Sequence, residues 1–265
     1  MPQTCHAWLE DQDRSGSATY LAAVQDDLIN TSGDYLQLRH GMSKIAMMYM
    51  WSEFAAYPPV ICTVDSASIR GNPLRITRGV ALNYLNEGQI VDMRNFPNSR
   101  IRAGDDVSAL YLDGDEAGVA HFGGMVLIVS NAPVPLSAPY PTSLIHRCTT
   151  SASTGGSWTT LSLTETDSLP SGDYYLLGAR VESATAVAAR FIIQGLENRP
   201  AVIPTTRSQD SLHPFSRFFG SPIKFSIPGG LPKLEILTST SETPSDVSLF
   251  LYDPKSITAE GVGRG

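Results

Sequence analysis

Lysine is scarce in this sequence: of 19 basic residues, four are Lys and fifteen are Arg. Charge is sparse overall, at 17% of residues, and the balance is acidic, with a net charge of −7. A broad nucleic-acid face shows as clustered basic residues, so sequence-specific nucleic-acid binding is not expected. Cys5, Cys62 and Cys148 are far apart and odd in number, which excludes a disulfide framework and any CxxC metal knuckle. No apolar run has the roughly 20 residues that a membrane helix needs, so membrane contact is not indicated. The start, Met1-Pro2-Gln3-Thr4, leads into polar sequence without an apolar leader core, and a soluble chain made in a cytoplasm is expected.

Catalytic signatures are missing too. There is no GxSxG elbow, Walker loop or GxGxxG fingerprint. His6, His40, His121, His146 and His213 show no HExxH or HxH spacing. The expectation is therefore a chain that is not an enzyme, with no catalytic, cofactor-binding or metal residues and no cofactor. Two weaker metal readings remain. Asp113, Asp115 and Glu116 place alternate oxygens in a turn that could hold calcium, against the plainer reading of a solvated acidic turn. His146 and Cys148 would share a strand face, but two ligands do not make a zinc site.

What the sequence does contain is turn punctuation and short β-branched runs. Its 22 Gly and 18 Pro favour short strands. Strands are expected over 60–64, 74–80, 81–85, 89–93, 102–112 and 119–129, and, after prolines at 133, 135, 139 and 141, over 145–150, 158–163, 223–227, 234–237 and 247–252. The central stretch runs from Ser171 to Pro204. Its period of two puts Tyr175, Leu177, Ala179 and Val181 on one face, and Tyr174, Leu176, Gly178 and Arg180 on the other. A second run places Ala189, Phe191 and Ile193 together, opposite Arg190, Ile192 and Gln194. A simple hairpin would pair 179 with 191, setting Arg180 opposite Arg190 unless Glu182 or a neighbouring subunit intervenes, or a register shift separates them.

The N-terminal stretch, 1 to about 33, reads as a polar arm in which Trp8 and Leu9 are apolar enough to dock on a neighbour. Between Asp34 and Tyr57 the apolar residues cover several helical faces, with Ile45, Met48 and Tyr49 on one and Met47, Met50, Trp51 and Phe54 on another. That stretch is read as a buried, helical or irregular segment ended by Pro58-Pro59. Arg in place of Lys suits forked ion pairs at interfaces, although codon bias would give the same count.

AGDDVSALYL in the first half, and LPSGDYYLLGARVESATAVAARFIIQGLENRP and LPKLEILTSTSETPSDVSLFLYDP in the second, resemble jelly-roll capsid proteins of tailless icosahedral phages and viruses over roughly residues 58–254. The resemblance implies a mainly β fold of two jelly-roll or β-sandwich units in tandem, a double jelly roll assembling as trimers. The divisions expected are an N-terminal arm and apolar segment (1–57), a first unit (58–136), a second unit (142–254) and a C-terminal tail (255–265). The implied function is a virion capsid subunit, made in the host cytoplasm, whose partners are copies of itself (a trimer or higher capsomer) and other virion proteins. Arg180, Arg190, Arg199 and Trp8 are the expected subunit-interface residues. The alternatives are a single jelly roll with an elaborated N-terminal region, a minor virion protein (spike or penton), and a carbohydrate-binding sandwich using Trp158, Tyr174, Tyr175 or Trp51 as stacking platforms.

Overall fold

The computed structural model describes residues 4–12, 18–20, 22–25, 30–32, 35–37, 44–52, 61–66, 68, 74–77, 90–92, 101, 105–112, 121–130, 142–197, 199–205 and 222–255. It is mainly β. The first half contributes β1 (Thr4–Gln12), β2 (Ala18–Tyr20), β3 (Ala22–Ala23), β4 (Asn30–Ser32), β5 (Tyr35–Gln37) and β6 (Lys44–Ser52). It continues with β7 (Ile61–Ser66), β8 (Leu74–Thr77), β9 (Ile90–Asp92), β10 (Asp106–Leu112) and β11 (His121–Ser130). The second half contributes β12 (Leu144–Thr149), β13 (Trp158–Leu161), β14 (Thr164–Glu165), β15 (Gly172–Glu182) and β16 (Ala186–Ile192). The last strands are β17 (Ala201–Val202), β18 (Ile223–Ile227), β19 (Lys233–Thr238) and β20 (Asp246–Tyr252).

Among the described residues these strands form four antiparallel sheets. Two draw only on the first half, in the orders β3-β1-β11-β6-β9 and β4-β5-β10-β7-β8, with β2 also on β10. Two draw only on the second, in the orders β14-β12-β20-β15-β18 and β13-β19-β16-β17. The second-half sheets share one apolar core. Tyr174, Leu176, Ala179, Val181, Leu249 and Leu251 come from one sheet, and Ala189, Phe191, Leu234 and Ile236 from the other. That is a β-sandwich.

The apolar segment before Pro58 is not helical where the structure describes it. Lys44–Ser52 is a strand, paired along β11 on one side and β9 on the other. A short run that is apolar in every direction fits an internal strand as well as a buried helix, and periodicity alone cannot separate the two. The start of the supposed arm is likewise a strand, since β1 pairs with β11 over its full length. The strands expected over 81–85, the proline linker and the acidic turn Asp113–Glu116 lie outside the described residues.

The central hairpin does not form. β15 and β16 are consecutive but belong to opposite sheets: β15 lies between β18 and β20, and β16 between β17 and β19. Ser183, Ala184 and Thr185 carry the chain across, and Glu242 holds that crossing in place. Its carboxylate accepts hydrogen bonds from Ser183 Oγ (2.7 Å), Ala184 N (2.9 Å), Thr185 N (2.8 Å) and Thr185 Oγ1 (2.6 Å). Burial alone pushes the Glu242 carboxyl up, but the bonds from Thr185, Ala184 and Ser183 outweigh it and hold the group below its usual range. A depressed folded-state pKa means stability that is present above the ordinary carboxylate value, about 4.3, and lost as pH falls through the lower folded value. Glu242→Gln should therefore cost about 2 kcal/mol near neutral pH. Denaturant titrations at falling pH should show the two proteins converging below about pH 4; a pH-independent gap would contradict this role.

The faces of β15 also differ from strict alternation. A bulge between Leu176 and Gly178 shifts the register, so the core takes Tyr174 and Leu176 before it but Ala179 and Val181 after it. One extra residue turns the strand over.

Candidate functional site

The outer face of the sheet β13-β19-β16-β17 carries the densest buried charge among the described residues. Arg190 on β16 lies directly across from Glu235 on β19, one position away from the core residues Phe191 and Ile236. Alternation thus aims both side chains away from the sandwich core. Yet Arg190 is 0% exposed and Glu235 is 5% exposed. The N-terminal strand is what helps cover them: β1 packs on β16, and Arg190 Nη1 donates to the Cys5 carbonyl at 2.8 Å. β3 pairs with β1 only at Trp8 and Leu9, leaving the Cys5 end beyond its reach.

Arg190 Nε donates to Glu235 Oε2. Arg199, beyond β16, donates from Nη1 to both Glu235 oxygens, at 2.6 and 2.7 Å. Two guanidinium groups therefore share this one carboxylate, which concentrates positive charge in a buried place. Trp158 on β13 offsets part of it, since the Arg190 guanidinium lies 4.0 Å from its ring centroid, over the negative π face. The Cys5 carbonyl dipole supplies more. Arg suits this position where Lys would not, because its flat fork can serve a carboxylate, a carbonyl and a ring together.

The expected interface residues behave differently from one another. Trp8 is fully buried on β1 and Arg190 is fully buried on β16, so neither presents its side chain to a neighbour. Arg190 and Arg199 find their carboxylate in Glu235 of the same chain, and Arg180 finds Glu182, at 3.0 Å. Arg180 lies opposite Ser248 in the β15–β20 ladder and not opposite Arg190. Within the single chain these three arginines therefore each have a carboxylate partner. No sequence pattern linked Arg190 to Glu235 or to Cys5, because those contacts join residues far apart in the chain.

Of the aromatic platforms, Tyr174 is buried, stacks on Phe225 and donates its hydroxyl to the Pro170 carbonyl. Trp158 has one face covered by Arg190, Tyr175 packs near Tyr252, and the Trp51 side chain lies outside the described residues. His146 and Cys148 do share a buried face of β12, and His146 Nε2 lies 3.9 Å from Glu165 Oε1. Burial pushes the Cys148 thiol up to about 12, with Glu165 and Asp246 adding to it, so the free thiol is protonated at neutral pH. No group of three or more metal-ligating side chains clusters among the described residues. No described helix is long and apolar enough to cross a membrane.

Comparison with known proteins gives no match to a family model, a curated protein or a solved structure.

Proposed function

We propose that this chain is a structural virion protein, a capsid subunit built of two jelly-roll units in tandem that assembles with copies of itself into an icosahedral shell. The observation that carries the proposal is strand order. In the second half, with β14 set aside as an added edge strand, the eight remaining strands alternate between sheets as 1-8-3-6 and 2-7-4-5. The first half supports the same permutation: β1-β11-β6-β9 in one sheet, and β2 or β5, then β10-β7-β8, in the other. Both orders fit the connectivity of an eight-stranded jelly roll with two Greek keys, which supports the reading. Repetition of one connectivity in two halves of a chain fits a subunit that offers two similar faces to its neighbours.

Fold alone does not fix function, because jelly rolls also serve as lectins and enzymes. The buried cluster adds a second consideration. It ties the N-terminal strand to a second-half strand through a side chain–carbonyl bond, which supports a subunit whose two halves act together.

Electron microscopy of the source material, with the chain identified in purified particles by mass spectrometry, tests the reading. Shells or capsomers with the chain as a stoichiometric component are expected. Its recovery only in particle-free fractions would overturn the proposal.

A further inference from the structure

At the end of the second sandwich opposite the Glu242 crossing, the start of β15, the end of β16 and the β18–β19 turn enclose an open cleft of about 380 Å³. That volume falls in the range of small-molecule sites, roughly 300–1,000 Å³. Its rim holds one ion pair, Lys224 Nζ to Asp173 Oδ2 at 2.8 Å, which is half-exposed on both sides and neutralises itself. Also lining it, the exposed Gln194 amide and Ser226 hydroxyl make no hydrogen bonds among the described residues, and the half-buried Leu231 adds apolar surface.

The glycines of the turn keep the cleft open. Gly230 has φ of +100°, a conformation that L side chains rarely adopt. A Cβ on Gly229 would come within 3.0 Å of the Ser226 carbonyl and hydroxyl oxygens and 3.5 Å of Gln194 Oε1, against the two uncommitted polar groups.

We infer that this cleft is a binding site for a neutral saccharide, taken as a mono- or disaccharide unit. A neutral rim gives no net attraction to an anion or a cation. A zwitterion would have to compete with the Asp173–Lys224 pair for its charges. A pyranose needs what is present: donors and acceptors for its hydroxyls, from Gln194 and Ser226, and apolar surface for its C–H face, from Leu231. This goes beyond the assembly proposal and does not depend on it.

The test uses the full chain and the Gln194→Ala/Ser226→Ala double variant, in ligand-observed saturation-transfer NMR. The probes are millimolar glucose, galactose, mannose and N-acetylglucosamine, with glycine and inorganic phosphate in parallel. Both substitutions remove exposed groups that make no side-chain hydrogen bonds among the described residues, so the unfolding temperature and oligomeric state should not move. Saturation transfer to at least one sugar is expected, with affinity about tenfold weaker in the double variant, as two lost hydrogen bonds imply. The inference is overturned if no sugar responds, if the double variant binds sugar equally well, or if glycine or phosphate is the ligand instead. Unchanged assembly with lost sugar binding would keep this site distinct from the subunit contacts.

Discussion

Glu235→Gln is expected to destabilise the folded chain by about 3–5 kcal/mol, the range for removing one member of a buried ion pair. Glutamine keeps the size and one carbonyl oxygen but deletes the charge that Arg190 and Arg199 share. Two guanidinium groups would then lose the carboxylate they share in a buried place, while the Trp158 ring and the Cys5 carbonyl still contact Arg190. Since single domains are stable by about 5–15 kcal/mol in total, such a loss approaches the whole margin. The energy reflects uncompensated charge, so Arg190→Met with Glu235→Leu and Arg199→Met should recover most of it. Urea unfolding of the two variants checks this pair of statements. A Glu235→Gln protein within about 1 kcal/mol of the parent would mean that water or a rearranged partner satisfies the arginines.

Trp8→Ala is expected to cost about 3–5 kcal/mol, the range for truncating a large buried aromatic. Trp8 is 0% exposed within the single chain, on a strand paired with β11 on one side and β3 on the other. If it instead docked on a neighbouring subunit, the loss would appear in association and would depend on protein concentration. Unfolding followed by tryptophan-independent circular dichroism at two concentrations separates the cases. A concentration-independent loss agrees with the buried position; a loss that vanishes at high concentration contradicts it.

Much of the second half was legible in the sequence because its strands are short, alternate cleanly and end at Gly or Pro. β12, β13, β18, β19 and β20 lie within a residue or two of their expected positions. Ala189, Phe191 and Ile193 share the core face as alternation required. The failures have physical causes. β6 is paired on both edges, and its sequence is apolar at consecutive positions, a pattern that a buried helix shares. β1 ends in Glu10-Asp11-Gln12, a polar sequence whose strand character comes from its pairing with Phe122 and His121 and not from propensity. The hairpin expected at Glu182–Thr185 fails because Glu242, from a remote loop, ties that turn into a crossing between sheets.

The site was half legible. Arg190 and Arg199 stood out as cations within an apolar stretch, which is a sound reason to look for partners. The partners themselves were hidden, because strand order sets which residues meet and local sequence does not encode it. Gly104-Asp105 and Gly172-Asp173 illustrate the same limit: they look alike, yet one precedes β10, bonded to β7, and the other opens β15, bonded to β18 and β20.

Mass measurement in solution tests the assembly proposal most directly. Analytical ultracentrifugation of the purified chain across a wide concentration range should show a closed oligomer, with three times the 28.6 kDa chain mass or a higher multiple, persisting on dilution. A single species at 28.6 kDa at every concentration would contradict it.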